Sequence, residues 1–457
     1  MPELSTTRKA AYGLGDLSTN TALSSLTLVF FTFLVTVAGL EPWLAGLIAW
    51  LARLVDAITD PLMGRFSDGL RWRAGRRRPF FLIGMLPLGF FFGLLWKTPY
   101  VEQGPMFLWY LAIYTGLALA MTVLSVPYMA LIPEMARDYD ERTALNTWRS
   151  AGAVVGTMVA ASLFKLAEAL GGGSIGFERA GAWLAIVLIL PWPIVWAVSF
   201  ERQSIAARPP EPIWPAFKSV LRHPTYRRLS AIYLMTRIAM DLLGLAVPLF
   251  VIVWLQRPGD VTWTLLSMLV IVIGSLPFWL QFSRQREKHR ILALGGLWVI
   301  LALIFIFFGD PTWPRWTLFV VAGGLGAGYA VVDLFPWAML GEVIDEDELT
   351  SGHRREGVYN GIFTFIRKVG GASSYLLGGV ALSWAGYDGD MTLQPDTAVW
   401  TIRLLGSLIP AACILIALGG LYGYPLTRAR HARIQEQLDL RMRTLAEESR
   451  PDPAHPV

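Results

Sequence analysis

Cysteine is nearly absent from this chain: in 457 residues there is one, Cys413. That excludes an intramolecular disulfide and any cysteine-based metal cluster. Histidine is scarce too, and the five, at 223, 289, 353, 431 and 455, fall in hydrophilic stretches without metal-ligand spacing. Charge is the third deficit. Only 16% of the residues are Asp, Glu, Lys or Arg, against roughly 25% in a soluble domain, while 54% are hydrophobic. Such a composition belongs in a bilayer. The net charge of +5 does not point to nucleic acid, because the basic residues are confined to short loops between apolar segments. The first apolar run continues to about residue 40. It is longer than a cleaved signal peptide and reads as a true first span.

What is present is a series of runs long enough to span, at roughly 10–40, 42–63, 80–96, 106–132, 145–170 and 180–200, then 229–254, 263–282, 291–308, 316–340, 357–384 and 399–424. The expected fold is an all-α integral membrane protein of twelve transmembrane helices in two six-helix halves. The halves would be residues 1–200 and 229–424, joined by a polar, Pro-containing loop at 201–228. Residues 425–457 form a charged tail, expected to be a short helix followed by disorder. Lys and Arg fix the orientation. The termini and even-numbered connections hold 28 of them, the odd-numbered connections four, which places both termini and the central loop in the cytoplasm. The basic loop after span 2, GRFSDGLRWRAGRRRP, has a weaker counterpart after span 8, QFSRQREKHR. Two halves with corresponding loops suit a transporter built from repeats, with its site near the midplane.

Ionisable groups inside the spans are the candidates for that site, since placing each there costs about 2.5–3.5 kcal/mol on insertion scales. Span 2 carries Asp56 and Asp60, four residues apart and so on one helical face, with Arg53 close to it. Two like charges need something positive between them. Arg53 as a structural salt bridge and an exchangeable bound cation are the two readings. Two carboxylates plus threonine hydroxyls, without Cys or His, suit a hard monovalent ion rather than zinc or copper. Crowded carboxylates also favour sharing a proton, so Na⁺ and H⁺ both fit. Span 1 carries Asp16 and Asn20, with helix packing as the plainer role for Asp16. Span 4 carries Thr122 and Ser125 before Pro127, and span 5 carries Arg149, which a snorkelling side chain also explains. Arg237 and Asp241, four apart in span 7, read as a mutually neutralising pair. Asp333 lies in span 10, and of the adjacent Arg367 and Lys368 in span 11 only one is expected to face a central cavity.

These residues lie in recognisable company. DAITDPLMG followed by SD and GRRRP, with YGLGD, VPYMALIPE, DERTALNTWR, FPWAML-GEVIDEDE and GHRREGVYNGIFTFIRKVGGA, resembles the glycoside–pentoside–hexuronide:cation symporters of the major facilitator superfamily, the family of melibiose permease. The resemblance implies that Asp56 and Asp60 bind the cation with Thr122, and that Thr59 stands where melibiose permease has an asparagine. It places Lys368 near both sites and Arg149 at the sugar. It also exposes departures: Asn20 and Ser125 replace the two aspartates that grip galactoside hydroxyls, and Met129 replaces a tryptophan. Asp16, Asn20, Ser125, Met129, Arg149 and Lys368 are therefore the substrate-side candidates, for a ligand unlike melibiose. Losing two negative charges while keeping Arg149 and Lys368 would tolerate a substrate carrying an acidic group. Arg53, Asp68, Asp333, Glu342 and Asp345 are the candidates for coupling or gating, with solvated loop charges as the plainer reading for the loop acids.

The function expected from all this is cation-coupled symport of a sugar or glycoside, including an anionic one, in the cell inner membrane by alternating access. The alternative is a cation-coupled lysophospholipid or amphiphile carrier. No cofactor is expected beyond Na⁺ or H⁺ as coupling ion. An enzyme is disfavoured by the lack of a nucleophile–base or metal pattern, and a receptor by the lack of an output domain.

Overall fold

The computed structural model describes residues 4–69, 72, 75–136, 139–201, 213–283, 286–353, 355–389, 391 and 393–448. All regular elements among them are helices. The first half contains α1 (Thr6–Thr36), α2 (Pro42–Gly69), α3 (Pro79–Leu95), α4 (Gln103–Met135), α5 (Tyr139–Ala161, continued by Leu163–Ala169) and α6 (Gly173–Val198). The second contains α7 (Pro224–Trp254), α8 (Val261–Ser283), α9 (Lys288–Phe307), α10 (Arg315–Ser351), α11 (Glu356–Trp384) and α12 (Asp396–Leu421). Among the described residues nine of these are long and apolar enough to cross a membrane, or ten with α5 taken across its 43° bend. Of the remaining two, α3 is shorter, at 17 residues, and α11 carries Arg367 and Lys368 in its middle. Helix is what a bilayer demands, because hydrocarbon offers backbone N–H and C=O groups no partner outside their own segment. Proline opens α2, α3 and α7, where its missing N–H costs nothing.

Two boundaries differ from the sequence expectation. The connection placed at 341–356 is helical to Ser351, since GEVIDEDELTS contains no breaker; α10 ends only where Gly352 takes φ +74°. Similarly α5 begins at Tyr139, so Arg149 lies about three turns into it rather than one or two. The central connection contains a short helix, Ile213–Arg222, and the tail a longer one, Arg428–Glu448. Residues 202–212 and 449–457 lie outside the described residues.

The packing repeats with an offset of six helices. α1 packs on α5 and α6 as α7 packs on α11 and α12, and α4 lies between α2 and α3 as α10 lies between α8 and α9. Where the halves meet, α2 runs against α11. Their bonds lie at mid-depth and at one end. At that end the Tyr375 hydroxyl donates to the Thr27 carbonyl (2.5 Å), the Trp43 N–H donates to Ser383 Oγ (3.0 Å), and Phe31 lies 6.0 Å from the Tyr375 ring. The contact is backbone-close: a Cβ on Gly379 would sit 2.2 Å from the Pro42 carbonyl oxygen. One continuous apolar cluster crosses from the first half into α7, α11 and α12 here, whereas the rest of the second half has a cluster of its own.

Candidate functional site

Between the halves lies a cavity of about 330 Å³, bordered by Asn20 and Arg53 on one side and Arg237, Asp333, Arg367 and Lys368 on the other. Both Arg367 and Lys368 border it. The expectation that only one could do so fails because the cavity wraps around more than 100° of α11.

Asp56 and Asp60, one turn apart on α2, meet Thr122 of α4: its hydroxyl is 3.1 Å from Asp56 Oδ1 and 2.8 Å from Asp60 Oδ1. The positive charge between them comes from the other half of the molecule. Lys368 Nζ lies 2.7 Å from Asp56 Oδ2 and 2.5 Å from Asp60 Oδ2. Arg53, the local candidate, stays 4.0 Å from Asp56. Thr59 turns its hydroxyl back to the Asp56 carbonyl (3.4 Å). Pro61, inside α2 directly after Asp60, removes the N–H that would otherwise bond to the Ala57 carbonyl.

A second cluster joins α1, α4 and α5. Arg149 Nε is 2.7 Å from Asp16 Oδ2 and its Nη2 is 3.2 Å from Oδ1, while the Tyr128 hydroxyl donates to the same carboxylate (2.7 Å). The guanidinium also lies 5.2 Å from the Tyr128 ring centroid, contacts Met129 Sδ (2.7 Å) and donates to Asn146 Oδ1 (2.8 Å). This arrangement excludes snorkelling for Arg149, and Asp16 neutralises it, so Arg149 is not a spare positive charge for an acidic substrate. Close helix approach makes it possible: a Cβ on Gly152 would meet the Gly13 carbonyl oxygen at 2.2 Å. Small residues at such spacing let membrane helices pack backbone to backbone. Breaking one partner of a buried pair costs about 3–5 kcal/mol. Asp16→Asn is therefore expected to lower the melting midpoint in detergent by several degrees, followed by tryptophan fluorescence. The double variant Asp16→Asn/Arg149→Gln should lose no more than the single one.

Asn20 donates to the Asp16 carbonyl (2.9 Å) and borders the cavity one turn further along α1. Ser125 is half-buried on α4 and Met129 is exposed on it. In the second half Arg237 pairs with Asp241 on its own helix and with Asp333 of α10 (3.2 Å). Glu342 pairs with Lys288 (2.9 Å) and Asp345 with His431 of the tail helix (3.0 Å). The Asp68 side chain lies outside the described residues. On the loop before α3, Arg76 and Arg77 both reach Glu134 (2.7 and 2.6 Å). The backbone N–H groups of Arg76, Arg77 and Arg78 converge on Glu201 (2.6, 2.7 and 2.8 Å). Part of that basic loop thus serves to hold α3 against α4 and α6.

Sequence reading missed Tyr128, Tyr12 and the glycine seam. The Tyr12 hydroxyl donates to the Tyr128 carbonyl (2.6 Å), and the Tyr128 hydroxyl, shared with Asp16, lies 2.8 Å from the Tyr12 carbonyl. The available signal was GAVVG in α5, a pair of glycines four apart facing YGLGD.

Comparison with known proteins agrees with this architecture. The inner membrane symporter YicJ of Escherichia coli K12 is 27% identical, over 95% of this chain and 95% of its own. The sodium-dependent lysophosphatidylcholine symporter 1-A of Danio rerio is 26% identical, over 96% of this chain and 89% of its own. Among solved structures, an inward-facing, unoccupied bacterial homologue of the human lysosomal transporter Spinster superposes with TM-score 0.67 at 13% identity, covering 94% of this chain and 98% of that one. The model of the MFS/sugar transport protein family matches residues 11–428. With a helical bundle of two repeated halves around a charged cavity, this multi-pass membrane chain belongs to that family of major facilitator transporters.

Proposed function

We propose that this protein is a secondary active transporter coupling a monovalent cation, Na⁺ or H⁺, to inward movement of a sugar or glycoside. The observation that carries the reading is the tie between the halves at mid-depth, where Lys368 of α11 bridges Asp56 and Asp60 of α2. The ammonium stands where a coupling ion would be held by the two carboxylates and Thr122. Arrival of the ion displaces it, removes the tie, and frees α2 and α11 to move relative to each other. Lys368 is then available to the substrate beside it. Substrate and ion accordingly raise each other's affinity by the same factor. Asp56, Asp60 and Thr122 are the ion ligands in this scheme, and Thr59 requires a rotamer change to join them. Asn20 borders the cavity and meets the substrate there. Ser125, Met129 and the Asp16–Arg149 pair stand outside the cavity's lining and contact the substrate only on its way through, while Arg53 and the Arg237–Asp333 pair adjust as the halves move.

The distribution of Lys and Arg puts the termini in the cytoplasm. On this orientation the closed end, with Tyr375 and Gly379, faces outward, which fits an inward-facing arrangement of the halves. Glu342, paired here with Lys288 of its own half, exchanges that partner for one across the halves when that side closes. The symporter YicJ and the sugar-transport family model support the inner membrane and the substrate class.

Uptake into membrane vesicles under an imposed Na⁺ or H⁺ gradient, across a panel of glycosides, tests the reading. Asp56→Asn and Asp60→Asn are each expected to cut ion-driven accumulation at least about tenfold, the equivalent of roughly 1.4 kcal/mol. Wild-type accumulation by both variants would refute it.

A second reading, an amphiphile carrier, has one specific support. A strongly apolar groove lies on the opposite face of α8 from the cavity, bordered by Met158, Trp263, Ile271, Phe319 and Val320. Thr157 borders the cavity and Met158 the groove, so the two spaces are separated by little more than one helix.

A further inference from the structure

The charges around the cavity balance with one exception in pairing. Arg53, Arg237, Arg367 and Lys368 supply four positive charges among the described residues; Asp241 and Asp333, with Asp56 and Asp60 behind Lys368, supply four negative ones. Lys368 is held by Asp56 and Asp60, Arg237 by Asp241 and Asp333, and Arg53 lies 4.0 Å from Asp56. Arg367 borders the same space and, among the described residues, makes no hydrogen bond or ion pair. A guanidinium is planar, permanently charged and shaped for two parallel bonds to a carboxylate, sulfonate or phosphate oxygen pair. In a low-dielectric surround, a group of this kind without a partner is costly unless a ligand or water completes it.

We propose that Arg367 is the subsite for a singly charged anionic group on the transported substrate, and that Lys368 joins it only after the coupling ion has taken the lysine's place between Asp56 and Asp60. This rests on the coupling scheme above and adds the substrate's charge to it. Binding one monovalent cation takes the cavity from balance to one net positive charge, and a monoanionic substrate restores the balance. The freed ammonium and the guanidinium, adjacent on α11, then face the same anion. A neutral substrate would leave one uncompensated positive charge in the loaded carrier. Asp333, 43% exposed, has one carboxylate oxygen bonded to Arg237 and can accept substrate hydroxyls beside the anion.

Two matched pairs of compounds test this in proteoliposomes under a Na⁺ or H⁺ gradient: p-nitrophenyl β-glucoside with p-nitrophenyl β-glucuronide, and monoacylglycerol with lysophosphatidylglycerol. Wild type is expected to accumulate the anionic member of one pair at least tenfold over its neutral partner. Arg367→Gln should remove that preference, and Arg367→Lys should restore part of it. The substitution should leave the ion-dependent change in tryptophan fluorescence, measured without substrate, where it was. Preference for the neutral members, or an anion preference that survives Arg367→Gln, overturns the proposal and leaves ion coupling standing. Absence of ion-driven accumulation for all four compounds, with no fluorescence response to Na⁺ or to pH, sinks the coupling scheme and the subsite with it.

Discussion

Lys368→Met is expected to bind the coupling ion more tightly than wild type and to accumulate nothing. In the proposed scheme the wild-type ammonium, 2.7 Å from Asp56 and 2.5 Å from Asp60, is a tethered competitor that an incoming ion has to displace. Unit charges at about 4 Å interact by roughly 4 kcal/mol at an effective dielectric of 20. Desolvation and the tether offset part of that, leaving an expected gain in ion affinity on the order of ten- to a hundredfold. The same ammonium is the bond across the halves that responds to the ion. Without it, ion binding changes nothing between α2 and α11, and accumulation should fall by about a hundredfold or more, roughly 2.7 kcal/mol of coupling. Titration of tryptophan fluorescence with Na⁺ or H⁺ gives the affinity, and vesicle uptake gives the coupling. Unchanged affinity together with retained accumulation would show that the ammonium is no competitor. Arginine would be no conservative replacement, because its fork binds two carboxylates in a different geometry.

Gly379→Val should reverse the resting orientation of the transporter. On α11 this glycine lies against the α2 backbone, and a Cβ would sit 2.2 Å from the Pro42 carbonyl oxygen. A peptide carbonyl cannot step aside as a flexible side chain can, so the added volume wedges α2 from α11 at the closed end. Overpacking of this kind costs about 1–3 kcal/mol, which in a two-state equilibrium shifts the population by roughly 5- to 150-fold. A single cysteine at Phe31, in a background with Cys413 replaced, reports the opening through its labelling rate with a membrane-impermeant thiol reagent. The rate should rise in Gly379→Val by a similar factor. An unchanged rate would mean that the halves do not part at this seam.

The membrane-spanning pattern was legible because it depends on local chemistry: runs of apolar residues and the placement of Lys and Arg. Asp56, Asp60 and Thr122 were legible for a related reason, since two carboxylates four residues apart must share a helical face. What joins them was legible only through the family resemblance, which places Lys368 nearby; spacing alone could not reach it. Lys368 lies 308 residues beyond Asp60, and periodicity says nothing about which helix of one half faces which of the other. Arg53 was the only cation near enough in sequence to nominate as the charge between them. Arg149 had two readings open on the same ground: a snorkelling arginine and one anchored to Asp16 across the α1–α5 seam look alike in the chain. The end of α10 was placed too early because hydropathy drops near residue 341, whereas helix formation continues until a residue such as Gly352 reverses the backbone.

The first helix of each half has one turn of π-helical geometry, Leu26–Phe30 inside α1 and Phe250–Trp254 at the end of α7. A π turn holds one residue more than an α turn, and can be passed along a helix without unfolding it. Moving it by a turn rotates the intervening segment by about 100° about the helix axis, the angle one residue subtends. The π turn of α1, which borders the cavity, is therefore a place where that helix can swivel. The Thr27 carbonyl that receives the Tyr375 hydroxyl lies within the α1 swivel itself. Rotating it would release that bond without tilting either half, so the closed end has an axial screw motion open to it besides the rocking of rigid bodies.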